Sequence, residues 1–144
     1  MTIITKETPV GFEVTGNLKT VSQERVFAFS GGSPKGNDWP KKNIHTDLGF
    51  AMSCGLPTRA ASGAMFEGYL TELMIDLFGE DWLMGGKMNL TFIAIVDAGD
   101  TLLPKAAVQS KQEEDSRVRF TLDVWCENQH SKKVVVGNAL ATVR

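Results

Sequence analysis

The chain has 144 residues, 42% of them hydrophobic and 22% charged, with a formal net charge of −2. That size suits one domain, residues 1–144, built around one core. The only dense basic spot is Lys41-Lys42, which speaks against a nucleic-acid surface. Two distant cysteines and two histidines speak against an ordinary zinc site. Both cysteines, Cys54 and Cys126, read as buried, reduced core thiols.

The opening MTIITKETPVGF lacks the charged start and long apolar run of a secretory signal, and no uncharged apolar stretch approaches the length of a membrane span. A soluble, cytoplasmic protein is expected.

Phe12 to Val21 reads as a first strand, followed by a short helical stretch from Gln23 to Phe29. Ser30 to Lys42, SGGSPKGNDWPKK, holds too much Gly and Pro for a regular element and reads as a long loop; such loops are often functional. Thr46 or Asp47 then caps a short helix that ends at Gly55 and Pro57.

The strongest helix signal runs from Gly63 to Phe78. Met65, Phe66, Tyr69, Leu70, Leu73, Met74, Leu77 and Phe78 recur at helical spacing and form a wide apolar face. Gly79 is a natural stop. Ser62, just ahead, is a good N-cap residue.

The remainder predicts strands. Met88 to Val96 is a nearly continuous apolar run. Ala98-Gly99-Asp100 makes a turn into a strand from Leu102 to Gln109. Val118, Phe120, Leu122, Val124 and Cys126 alternate with polar neighbours, the period of a half-buried strand. After a turn at Asn128 to Lys132, the last strand runs from Val134 to Val143. Val135, Gly137, Ala139, Ala141 and Val143 share one of its faces and suit close packing against a helix. His130 falls in the turn, exposed and without a role. One long apolar helix wrapped by an antiparallel sheet is an α+β architecture, and its uncovered sheet edge predicts a homodimer or a higher homo-oligomer.

Five stretches carry a family resemblance. Phe29-Ser30-Gly31, Asn43-Ile44-His45-Thr46-Asp47 and Ala51 resemble the hydratase segment of MaoC-like proteins, the R-specific enoyl-thioester hydratases and dehydratases. Ala61-Ser62-Gly63-Ala64-Met65 is similar to that family's His-Gly-Met helix opening, and Gly63 follows His45 at the family's spacing without a gap. Phe92 and Ala98-Gly99-Asp100-Thr101-Leu102 resemble its Phe and Gly-Asp-Thr-Leu turn. Glu127-Asn128-Gln129 and Val136-Gly137-Asn138-Ala139 resemble its last two strands. The likeness covers residues 12–144 and implies the hotdog fold.

The resemblance implies a lyase that adds or removes water at the double bond of an enoyl thioester, delivered on coenzyme A or a carrier protein, with no metal or redox cofactor. His45 maps onto the family's catalytic His; imidazoles exchange protons readily near neutral pH. Its other reading is an anchor of the loop. Gly63 maps onto the family's oxyanion glycine, whose amide opens a helix where unpartnered N–H groups and the helix dipole favour negative charge. Gly63 is equally explained by close helix–strand packing.

The catalytic Asp departs from the pattern. The family places it five residues before the His, where this chain has Pro40, and Lys42-Asn43 replaces the following Asn-Pro. Asp38 is proposed in its stead, against a reading as a turn cap. Ser62 stands where the family usually has His, and Asp47 reads as a structural cap. Glu67 falls about 40° around the helix from Gly63, at the edge of the apolar face, either as a spare acid/base group or as an ion-paired rim residue. Thr71 lies one turn further, and Arg59 is a candidate partner for Glu67 or for a substrate anion. The substrate-binding set is Arg59, Ser62, Gly63, Ala64 and Thr71. A different acid/base reaction on the same scaffold (cyclisation, isomerisation or thioester hydrolysis) and a non-catalytic acyl-binding role stay open.

Overall fold

The computed structural model describes residues 3–144. Met1 and Thr2, part of the opening stretch read for a secretory signal, lie outside them. Ten elements follow in chain order: β1 (Glu13–Thr15), β2 (Lys19–Thr20), α1 (Gln23–Ser30), α2 (Leu48–Ser53), α3 (Gly63–Phe78), α4 (Glu80–Gly85), β3 (Lys87–Phe92), β4 (Thr101–Glu114), β5 (Arg117–Asn128) and β6 (Lys133–Val143). The strands form one antiparallel sheet in the order β1-β4-β5-β6-β3, with β2 also on β4.

Helix α3 begins and ends where its apolar pattern does. It buries Met65, Phe66, Leu70, Leu73, Met74, Leu77 and Phe78. Facing them are Leu102, Ala106 and Val108 of β4, Phe120, Leu122, Val124 and Cys126 of β5, and Val135, Ala139 and Ala141 of β6. The Phe78 and Phe120 rings meet tilted at 6.1 Å, a favourable aromatic geometry. Gly79 ends the helix at φ 58°, in the left-handed region that glycine enters at little cost. A long helix cradled by an antiparallel sheet is the hotdog arrangement. Among the described residues, no helix is long and apolar enough to cross a membrane.

Several expected elements differ. The stretch from Phe12 to Val21 is two short strands rather than one. Gly16 separates them, its N–H bonded to the Pro104 carbonyl at 2.8 Å in a space where a Cβ would touch Pro104 and Leu73. The apolar run from Met88 to Val96 is a strand only to Phe92. Beyond it, the N–H groups of Ile93 and Ala94 both turn to the Val134 carbonyl, and the chain leaves the sheet. β4 continues past Gln109 to Glu114 in an exposed hairpin arm. The short helix α4, with only Trp82 buried, has no counterpart in the sequence reading. Cys126 is buried, but Cys54 is exposed because it sits at the end of α2 on the surface. Gly137 meets a strand rather than a helix: a Cβ there would lie 1.9 Å from the Asn89 carbonyl oxygen of β3.

Candidate active site

The loop between α1 and α2 leaves and returns at one point. The Gly31 N–H closes on the Phe27 carbonyl at 2.8 Å, and the Lys41 N–H bonds the Gly31 carbonyl at 2.9 Å. The Trp39 ring stands edge-on to Phe27 at 6.2 Å. Asn43 then organises the turn that carries His45. Its Nδ2 donates to the Ser30 carbonyl at 2.8 Å, and its Oδ1 accepts the His45 backbone N–H at 2.8 Å. The Thr46 hydroxyl, buried, donates to the Lys41 carbonyl at 2.6 Å and accepts the Asn43 N–H at 3.1 Å. Asp47 caps α2 through the Phe50 N–H at 2.7 Å.

The half-buried His45 ring is held by its Nδ1, which donates to the Ala60 carbonyl oxygen. A carbonyl only accepts, so Nδ1 carries a proton, and in the neutral ring Nε2 then keeps its lone pair. The two segments are joined a second time, by the Ala60 N–H to the Ile44 carbonyl at 3.1 Å. The Ala61 N–H bonds the Val96 carbonyl at 2.7 Å, which sets the chain as it enters α3. Ser62 occupies the N-cap position, yet its side chain makes no capping hydrogen bond. The expected side-chain cap is therefore absent, and the positive end of the helix at Gly63 is left to other partners.

An apolar groove of about 590 Å³ opens at this helix end, lined by Ala60, Gly63, Ala64, Phe66, Phe92 and Ile95 among others. The Phe92 ring roofs Gly63: a Cβ at position 63 would lie 2.9 Å from two of its ring carbons. Close packing against this ring thus favours glycine here, whatever else its amide does. Ala60, whose carbonyl holds the His45 ring, thus lines the same apolar groove as Gly63 at the start of α3.

The other sequence candidates stand apart. Asp38 is exposed on the loop beside Gly36. Among the described residues, no hydrogen bond joins His45 to Asp38 or to Glu67. Glu67 is exposed rather than at the edge of a buried face, so water solvates its charge. With Ala64, Thr71, Glu72, Ile75 and Asp76 it lines a second groove, of about 520 Å³, along the outer face of α3. Ala64 borders both grooves. Arg59 does not pair with Glu67; its Nε lies 3.7 Å from Asp97 Oδ1. Asn43 and Asp97 were not among the sequence candidates. Asn43 had a local signal in its spacing to Thr46, typical of Asx and ST turns; Asp97 had none.

No protein-family model matches the chain, and no curated protein matches it. Solved structures do. A MaoC-like dehydratase from Rhodospirillum rubrum superposes with a TM-score of 0.76 at 19% identity, over 96% of this chain and 94% of that one. A monoamine oxidase regulatory protein from Archaeoglobus gives 0.73 at 20% identity, over 99% and 95%. The R-hydratase PhaJ1 from Pseudomonas aeruginosa gives 0.69 at 21% identity, over 96% and 88%. At such identities the likeness is one of fold, and it establishes that this chain has the hotdog fold in the form it takes in MaoC-like dehydratases and R-specific hydratases.

Proposed function

We propose that this protein is a hydratase/dehydratase acting on the double bond of an enoyl thioester carried by coenzyme A or a carrier protein. The observation that supports it most is the commitment of His45 Nδ1 to the carbonyl of Ala60, a residue that lines the groove together with Gly63; in the neutral ring this leaves Nε2 as the free proton acceptor. In the hydration direction, Nε2 takes a proton from water as the water oxygen bonds the β-carbon. The double-bond electrons move to the α-carbon and the thioester oxygen, where the Gly63 amide and the helix dipole stabilise the charge. The imidazolium then returns its proton to the α-carbon, so substrate plus water equals product. The acyl chain lies in the apolar groove.

One imidazole serves as base and then as acid in this scheme, which suits a site where neither Asp38 nor Glu67 bonds to His45. Incubation with crotonyl-CoA should bleach the conjugated enone absorbance. His45→Ala should lower kcat by about 10²–10⁴-fold, the usual worth of a general acid/base group. Asp38→Asn and Glu67→Gln test the two carboxylates proposed from sequence; in the single-imidazole scheme both keep rates close to wild type. An unchanged rate in His45→Ala would exclude the proposal.

The missing carboxylate favours two other readings on the same groove: another acid/base reaction, or acyl binding without turnover. A thioester that binds without loss of enone absorbance, with or without His45, identifies the binder. We also propose a homodimer. Phe92, Ile93 and Ile95 are exposed at and just beyond the edge strand β3, and sedimentation of the purified chain tests it.

A further inference from the structure

We infer that Asp97 is a positioning residue for His45, acting through the segment that carries the Ala60 carbonyl. The kinetic part of this inference rests on the hydratase reading; the structural part does not.

Asp97 lies where the chain, having left β3, turns toward β4. Its two carboxylate oxygens serve different segments. Oδ1 accepts the Ala98 N–H at 2.7 Å and closes the local turn. Oδ2 accepts the Thr58 hydroxyl at 2.5 Å, far away in sequence, and Arg59 adds its guanidinium 3.7 Å from Oδ1. A turn cap alone needs only the first of these. The other two fasten Thr58 and Arg59, the residues immediately before Ala60.

Asp97 is itself held in place. Its N–H donates to Asp100 Oδ2 at 3.0 Å, and Asp100 Oδ1 accepts Gln129 Nε2 at 2.7 Å. Gln129 Oε1 in turn accepts the Thr101 N–H at 3.1 Å. On the other side, the Ala61 N–H is fixed to the Val96 carbonyl at 2.7 Å, one residue before Asp97. Ala60 is thus held from both neighbours by one short stretch, Val96-Asp97. The carbonyl that selects the His45 tautomer cannot shift unless that stretch releases it. A carboxylate is charged and accepts at two oxygens, so an alanine at 97 removes both the Thr58 bond and the Arg59 pair. An asparagine keeps one acceptor oxygen.

The test is imidazole nitrogen NMR on histidine-labelled protein together with crotonyl-CoA kinetics. The chain has only two histidines, so His130→Gln assigns the His45 signals. At a pH where the ring is neutral, wild type should show it protonated at Nδ1. Asp97→Ala and Thr58→Val should both shift it toward a tautomer mixture. Each should lower kcat about tenfold to a hundredfold, the scale of a displaced reacting group, with KM within about threefold. Asp97→Asn should recover part of both signals. Thr58→Val, which keeps the ion pair, covers the case that Asp97→Ala fails to fold. An unchanged Nδ1–H signature in Thr58→Val overturns the inference, as does a loss confined to KM. If wild type does not turn over crotonyl-CoA, the hydratase reading fails, and the NMR arm still decides the role of Asp97.

Discussion

The side-chain oxygen of Asn43 accepts the backbone N–H of His45 at 2.8 Å, while the amide end of the same side chain reaches the Ser30 carbonyl at 2.8 Å. One residue therefore couples the end of α1 to the proposed catalytic turn. Asn43→Ala leaves the Ser30 carbonyl and the His45 N–H without their partners, at a cost of about 1–3 kcal/mol by urea denaturation. Crotonyl-CoA turnover should fall with it. Asn43→Asp, which keeps the acceptor but not the donor, should retain more activity than the alanine variant.

Gly63→Ala should separate stability from activity. The new methyl meets the Phe92 ring at 2.9 Å, but that ring is 49% exposed and can swing aside. Stability should change by less than about 1 kcal/mol, helped by the better helix propensity of alanine. The displaced ring narrows the groove, and kcat/KM should fall about tenfold. Adding Phe92→Ala should restore part of it. No loss in the single variant would show that the groove does not receive the substrate.

Gly137→Ala is the opposite case. Its methyl would lie 1.9 Å from the Asn89 carbonyl oxygen, and no side-chain rotation relieves a clash with a neighbouring strand. β3 must move off β6, at about 1–3 kcal/mol or more. Gly68→Ala, on the exposed face of α3 with nothing near its Cβ position, should instead stabilise by about 0.5–1 kcal/mol. Paired denaturation midpoints check both signs.

Burial pushes the Cys126 thiol up to about 12 from 9.0. In the folded protein it stays protonated at pH values where the unfolded chain has lost that proton. The native state then binds more protons, and stability falls as pH rises from about 9 toward about 12, by up to about 4 kcal/mol. Cys126→Ala should show a shallower decline over that window. A thiol reagent at neutral pH should label the exposed Cys54 and reach Cys126 only on unfolding.

The parts of the fold legible in the sequence are those with their own periodic signal. α3 was readable at both ends because seven of its residues are buried at helical spacing and Gly79 stops it. β5 was readable because Val118, Phe120, Leu122, Val124 and Cys126 alternate inward. α4 was not, since one buried residue in six makes no pattern. Ile93 to Val96 looked like strand because a groove wall and a sheet core want the same apolar residues. At the candidate site, His45 and Gly63 could be named through spacing and resemblance. Asp97 could not: its bond to Thr58 exists only once the chain has brought the two together.

The acceptor that holds His45 is a main-chain carbonyl, at Ala60. Every amino acid supplies that oxygen, so no replacement at position 60 can delete it. The choice of which ring nitrogen is basic is thereby insulated from mutation at the very residue that makes it. Its exposure to genetic change lies instead in whatever sets the course of the backbone there. Sequence drift could reshape the surrounding surface extensively and leave the imidazole's protonation pattern intact.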